Sequence, residues 1–449
     1  MPSKLPVANY GPPIMIVTPW GDAEGLRDRK LPPGRSTPRD EVKRNQRERL
    51  FAAMVACCEE QGYENTSVAD LLEISGISRV TFYEHFDDKA DCFSAAIQEA
   101  LQIAVAAIAR RQGVEGSAAE RARSALEAFV ELLTLQPAAA RMVLVESYAA
   151  GERAVEPVRQ AITEIGRLAH GALTQMPGHE GTPLELAEAI VGGFYRVVHS
   201  RLQTRREKEL PELVPALWDW ALSYPPPPQP LRLRGRRGVV ALDGATPPFA
   251  AYSPEQRIIR SFAATVAERG YQQVTIADIA ATASISQGTF YEYFRDKADA
   301  LAAALDASGA QLRAATLPAA RRAEDWPQAV RVALGGTCGF FAAEPAFAGM
   351  RVLAIYAAGP EALAQRDSSG TELLGTILDP AFENSPEVDE IVLEAILGAI
   401  YGTVYLQLRA NGAEALPEIA PLLTYLALAP FLGAEKACAV AIGNARRER

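Results

Sequence analysis

Apolar side chains recur along this chain at helical spacing. Leu50, Phe51, Met54, Val55 and Cys58 fall at i, i+1, i+4, i+5 and i+8, which is one face of an α-helix. Gly62 follows, a residue able to close a last turn in the left-handed conformation. Ser67-Val68-Ala69-Asp70 then fits the pattern in which a hydroxyl caps a new helix and a carboxylate three residues on reaches back to the cap. Val68, Leu71 and Leu72 face inward on a short second helix that ends at Ser75-Gly76, and Ser78 caps a third helix that runs to about Phe86. Two short helices joined by about four residues make a helix-turn-helix.

The whole pattern occurs twice. A shift of 208 carries Gly62 onto Gly270 and lays ISRVTFYEHFDDKAD, from Ile77, on ISQGTFYEYFRDKAD, from Ile285, without a gap. Ile258, Ile259, Phe262, Ala263 and Val266 repeat the apolar stripe, and Thr275-Ile276-Ala277-Asp278 repeats the capping pattern. ESYAAGERA from Glu146 matches AIYAAGPEA from Ala354; near the ends of the halves the shift becomes 206, setting LPELVPAL from Leu210 on LPEIAPLL from Leu416. A unit of about two hundred residues is therefore duplicated, not a motif alone.

Breakers divide the chain. Residues 1–38 are rich in Pro and Gly without a sustained period and read as a flexible arm. A stretch over 223–251, with four consecutive prolines from Pro225 and continuing through LRLRGRR, reads as a linker with a stiff start. The expected plan is a first reading head over 39–93, a first helical domain over 94–222, a second head over 252–301 and a second helical domain over 302–449. Ala, Leu and Glu abound while β-branched runs are few, so the expected class is all-α.

The formal charge of −10 argues against a nucleic-acid partner until its distribution is considered. Arg39, Lys43, Arg44, Arg47 and Arg49 cluster before the first motif, and Arg232, Arg234, Arg236 and Arg237 crowd the linker. The first cluster is expected to reach toward the DNA backbone or minor groove; the second is a tether or a further DNA contact. Five cysteines without CxxC spacing read as buried, reduced thiols. His170, His179 and His199 lack a metal-ligand spacing, GGTCGF from Gly335 lacks the ending of a phosphate loop, and no catalytic constellation is evident. The apolar residues Ile14 to Val17 are interrupted too closely for a signal or membrane span, so a cytoplasmic protein without cofactor or membrane partner is expected.

These residues resemble the DNA-binding domain of the TetR family of bacterial transcriptional regulators, over about 45 residues in each half. The resemblance implies a three-helix head followed by a larger helical domain for effector binding and dimerisation, and it implies a double-stranded DNA operator and an unidentified small-molecule effector as partners. It places the start of the third helix in the major groove, so Arg79, Val80 and Thr81, and in the second half Gln287, Gly288 and Thr289, become the base-reading candidates. It assigns Ser67, Tyr83, His85, Lys89, Thr275, Tyr291, Tyr293 and Lys297 to the phosphates. Phe82, Phe86, Phe290 and Phe294 are expected in the core. The first head departs from the family pattern at Val80, where glycine is common, and carries Asp87 where the second has Arg295.

Such regulators pair two heads across a two-fold axis, and here one chain supplies both. The expected assembly is a single-chain pseudo-dimer in which residues near 185–222 pack on those near 387–430, with further self-association left open. The expected function is a ligand-responsive repressor; the alternative is a ligand- or protein-binding helical module with one or both heads vestigial.

Overall fold

A computed structural model describes residues 16–31, 38–112, 116–232, 251–385 and 388–443. Helices dominate, as the composition and periodicity predict. The arginines at 234, 236 and 237 and most of the linker lie outside the described residues. The chain divides into two compact units, one of Met1–Ala106 with Glu131–Val158 and the other of Ala107–Val130 with Arg159–Arg449.

The first unit is built on α1 (Arg39–Asn65), α2 (Val68–Ser75), α3 (Arg79–His85) and the start of α4 (Lys89–Gln112). The end of α5 (Ala118–Leu135), α6 (Pro137–Leu144) and the start of α7 (Glu152–Leu173) complete it. Leu50, Phe51, Met54 and Val55 are fully buried, so the predicted stripe is the core. Phe86 packs 5.8 Å from both Phe51 and Phe82. Gly62 breaks α1 with a φ of 76°, and the Tyr63 amide that follows donates to Glu146 at 2.9 Å. Arg141 clamps α6 to α1 by gripping both oxygens of Glu59, at 2.9 and 2.8 Å.

The expected flexible arm holds structure over residues 16–31. Val17–Thr18 (β1) and Gly21–Asp22 (β2) form an antiparallel hairpin. Trp20 is buried 5.1 Å from Phe51 and donates its indole N–H to Glu99 at 2.8 Å. Leu26 is buried, and Arg27 Nε donates to the Glu73 carbonyl at 2.7 Å. Prolines and glycines mask this segment in the sequence; what holds it is one large aromatic finding a tertiary partner.

The basic run from Arg39 is also not an arm. It forms the first turns of α1, where nothing breaks the helix. Arg39, Lys43 and Arg44 stay exposed, whereas Arg47 lies 5.0 Å over the rings of Phe51 and Phe86 and Arg49 is buried with its Nη2 donating to the Ser75 carbonyl.

The second unit contains α8 (Leu184–Gln203), α9 (Leu210–Leu222), α10 (Pro254–Arg269), α11 (Ile276–Ala283), α12 (Gln287–Tyr293) and α13 (Lys297–Ala320). It continues through α14 (Trp326–Ala343), α15 (Pro345–Ala348), a wide turn at Gly349–Ala354, α16 (Pro360–Asn384), α17 (Ile391–Asn411) and α18 (Ala420–Ala441). Buried α14 packs against α13, α16 and α18. Ile391–Asn411 and Ala413–Ala441 are long and apolar enough to cross a membrane by length and composition; 61% of each apolar window is buried within the fold.

Among the described residues the most extensive helix contact joins α8 to α17, which explains why the end of the first half falls in the second unit. Gly192 and Gly398, related by the 206-residue shift, meet where these helices cross. A Cβ on Gly192 would lie 3.3 Å from the Gly398 carbonyl oxygen and one on Gly398 2.9 Å from that of Gly192. Only residues without a side chain let two helix backbones approach so closely. Arg201 bonds Glu394 at 3.0 Å, and Arg196 bonds Asp367 at 2.8 Å. The start of the expected linker is docked as well: Tyr224 is fully buried, donates to the Leu426 carbonyl at 2.7 Å and accepts from the Trp220 indole at 2.9 Å.

Candidate nucleic-acid interface

Each head closes its helix-turn-helix through short-range bonds legible in the sequence. Ser67 caps α2, accepting from the Asp70 amide at 3.3 Å while its own amide and hydroxyl donate to Asp70 Oδ2 at 2.7 and 2.8 Å. Those bonds, the Ser67 amide first, hold the Asp70 carboxyl below the usual carboxylate range. Thr275 and Asp278 repeat the box on α11. Ser78 and Ser286 accept from the amides of Thr81 and Thr289 at 3.1 and 3.0 Å, opening α3 and α12.

The turns differ. Gly76 adopts a φ of 65°, and a Cβ there would meet Arg27 Cγ at 2.8 Å. Ser284 takes the equivalent left-handed position with a φ of 55°. A non-glycine residue there is strained, so Ser284→Gly is expected to stabilise the second unit by about 0.5–1 kcal/mol, a balance of relieved strain against glycine's greater unfolded entropy. A urea midpoint that does not rise would show the strain to be absent.

The base-reading candidates sit together at the exposed start of each third helix. Arg79, Val80, Gln287 and Gly288 are exposed, Val80 to 72%. Thr81 and Thr289 are half-buried, with hydroxyls 2.9 and 3.0 Å from those of Ser78 and Ser286, which fixes them as part of the caps. Phe82 and Phe290 anchor the opposite face in the core.

The phosphate candidates separate into two groups. Tyr83, Tyr291 and Tyr293 are exposed, and among the described residues no hydrogen bond engages their hydroxyls. The remainder have internal tasks. Lys89 Nζ donates to the carbonyls of Tyr63 and Thr66 at 2.8 and 2.7 Å and lies 4.1 Å over the Tyr63 ring. Lys297 Nζ does the same with Tyr271 and Val274, at 2.9 and 3.2 Å, and lies 4.2 Å over Tyr271. Each ammonium thereby closes the carbonyl end of the preceding helix and turn, a role set by residues more than twenty positions upstream and invisible in the local sequence. Ser67 and Thr275 are engaged in their caps. His85 Nε2 pairs with Gln46 Oε1 at 2.8 Å, and burial, reinforced by Arg47, lowers its pKa, so the ring is neutral near pH 7. Arg295 bonds Asp299 at 3.2 Å one turn along.

The geometry in both halves is that of a helix-turn-helix DNA-reading head: a capped scaffold helix, a tight turn and a second helix anchored by aromatics with its N-terminal face bare. The family model of bacterial regulatory proteins of the tetR family matches residues 50–96 and again 258–304. The chain thus carries two tandem TetR-like units. Among solved structures, the fatty acid degradation regulator FadR from Bacillus halodurans is similar at 20% identity, over 38% of this chain and 97% of that one, with a TM-score of 0.36. FadR from Bacillus subtilis, solved with stearoyl-CoA, is similar at 20% identity over 40% and 98%, with a TM-score of 0.36. A TetR family transcription regulator from Marinobacter aquaeolei VT8 is similar at 21% identity over 37% and 93%, with a TM-score of 0.30. No curated protein matches the chain.

Proposed function

We propose that this protein is a sequence-specific, ligand-responsive transcriptional repressor that reads DNA as a single-chain pseudo-dimer. It is a cytoplasmic binding protein without catalytic activity, and its operator is double-stranded DNA. The observation that carries the reading is the pair of exposed recognition helices in one chain whose equivalent glycines, Gly192 and Gly398, meet in a helix crossing. Contact between equivalent positions is what a two-fold dimer interface makes between subunits. Holding that contact within one chain raises the effective concentration of one half for the other. An effector in the helical domains acts by favouring a head arrangement that fits the operator poorly.

Base reading is assigned to Arg79, Val80, Gln287 and Gly288, and backbone contact to Tyr83, Tyr291 and Tyr293. The full chain should select DNA from a random pool and bind it with an affinity that falls steeply with salt. Tyr291→Ala should weaken binding about fivefold for all sequences alike, as loss of one phosphate hydrogen bond would. Lys297→Ala, by contrast, should act by loosening the second head, which a urea titration without DNA would register. A chain that selects no sequence, or whose Tyr291→Ala variant alters preference at one base pair alone, refutes the assignment. Val80 and Asp87 favour a weaker grip by the first head, since a branched side chain and a carboxylate stand where the second has glycine and arginine.

A further inference from the structure

Two arginines are buried in the second helical domain where the repeat places valines in the first. Arg351 and Arg366 are 1% and 2% exposed, and the 208-residue shift sets them on Val143 and Val158. The substitutions around them are concerted. Ser308 and Ser369 stand on Ala100 and Ala161, while Gly309 and Gly370 stand on Leu101 and Ile162. The second half has thus exchanged an apolar interior for a polar one with less side-chain volume.

Arg351 is fixed by its Nη1, which donates to the Leu305 carbonyl at 2.9 Å and to Ser308 Oγ at 3.0 Å, and by its Nη2, which donates to Ser369 Oγ at 2.9 Å. Its Nε has no hydrogen-bond partner. The Arg366 guanidinium lies 4.3 Å over the Tyr401 ring and 5.3 Å over Tyr356. Its Nε forms an ion pair with Asp367 Oδ1 at 2.6 Å without the alignment of a hydrogen bond, its side chain also bonds Tyr356, and Nη1 has no hydrogen-bond partner. Asp367 is shared, since its Oδ2 pairs with Arg196 at 2.8 Å. Two guanidiniums, those of Arg366 and Arg196, therefore share one carboxylate, and among the described residues no carboxylate pairs with Arg351. His199, 6.1 Å from Tyr356 between ring centres, adds no charge near pH 7, because burial lowers its pKa to about 4. Burial lowers the pKa of Arg351, and the charge of Arg366 lowers it further. Burial works against the Arg366 charge, but Asp367 outweighs it and raises its pKa, so Arg351 is the cation left without a counter-charge; a buried cation in that state costs several kcal/mol, and a fold that retains one beside unused donors has a reason to.

We infer that Arg351 and Arg366 form the recognition point for the carboxylate of an acidic effector, and that this site exists in the second half alone. The inference rests on the reading of the helical domains as effector-binding and names the chemical class they accept. A carboxylate at this point would accept from the unpartnered Nη1 of Arg366, on the guanidinium edge away from the Nε that faces Asp367, and would offset the excess charge. One effector per chain follows, because the valines of the first half offer an anion nothing.

The test is thermal unfolding of the full chain, without DNA, in a series of straight-chain carboxylates from butyrate to dodecanoate, each beside the alcohol of equal length. At least one carboxylate should raise Tm, by about 2 °C for each tenfold excess over its Kd, while its alcohol does not. Arg366→Val should abolish that rise yet unfold at or above the wild-type temperature, because Asp367 keeps Arg196 and valine is what the first half carries at the same position. Arg366→Lys, which retains the charge without the fork, should weaken the response at least tenfold and serves if the valine variant does not fold. The proposal is overturned if no carboxylate raises Tm, or if the rise survives in the substituted protein. Since no DNA is present, failure here leaves the DNA-binding reading standing.

Discussion

Gly398→Leu is expected to destabilise the full-length protein by about 3 kcal/mol and to weaken operator binding at least tenfold, on the order expected for overpacking against rigid backbone and for uncoupling two linked sites. Already at Cβ the new side chain would lie 2.5 Å from Arg196 Cβ, 2.9 Å from the Gly192 oxygen and 2.9 Å from Gly193 Cα. Two of those three neighbours are main chain and cannot turn away, so α17 must leave α8. With it goes the Arg201–Glu394 pair, which joins the same two helices. Gly335→Ala on α14 is the control, because a Cβ there meets nothing within 4 Å; higher helix propensity should make it neutral or more stable by up to about 1 kcal/mol. Urea unfolding and DNA titration of both variants decide the matter. A Gly398→Leu protein with an unchanged midpoint and unchanged affinity would mean that the crossing does not couple the heads.

The reading heads were legible because short-range physics makes them. A hydroxyl three residues before a carboxylate, a glycine at a left-handed turn and an apolar stripe of period 3.6 each leave a mark in a few consecutive residues. Ser67, Gly76, Ser78 and Phe82 all take the places those marks predict. The packing of α8 on α17 was legible for a different reason: an internal repeat whose units ordinarily pair predicts contact between equivalent segments.

Roles fixed by distant partners were not legible. Lys89 and Lys297 look like phosphate ligands until the carbonyls of the turn before α2 and α11 are placed beside them. Trp20 sits among prolines and glycines, and its sequence says nothing of Phe51. Arg47 and Arg49 read as part of a basic arm, yet one stacks on the core aromatics and the other is buried in the turn of the first head. Nothing in the local sequence singles out Arg351 and Arg366. The signal for them was available all the same, since laying one half on the other shows two valines exchanged for two arginines.

The difference between the heads carries the remaining large effect. Arg79 and Val80 are exposed at the start of α3, and Gln287 and Gly288 at the start of α12. Arginine pairs with guanine O6 and N7 through two parallel bonds, glutamine favours adenine N6 and N7, and a valine methyl suits the thymine methyl where glycine admits the backbone. If both heads engage one site, the operator is an imperfect palindrome whose halves differ where these pairs sit. The double substitution Arg79→Gln with Val80→Gly should make the selected halves more alike. On the original operator it should lose about 1–3 kcal/mol, the value of one bidentate guanine contact. Its salt dependence should stay close to wild type if Arg79 contacts a base edge, whereas loss of a phosphate contact would reduce the slope of log K against log salt by about one. Selection from a random pool and titration at two salt concentrations read all three outcomes. A perfectly palindromic wild-type operator, or a preference indifferent to the double substitution, would mean that the first head binds DNA without reading it.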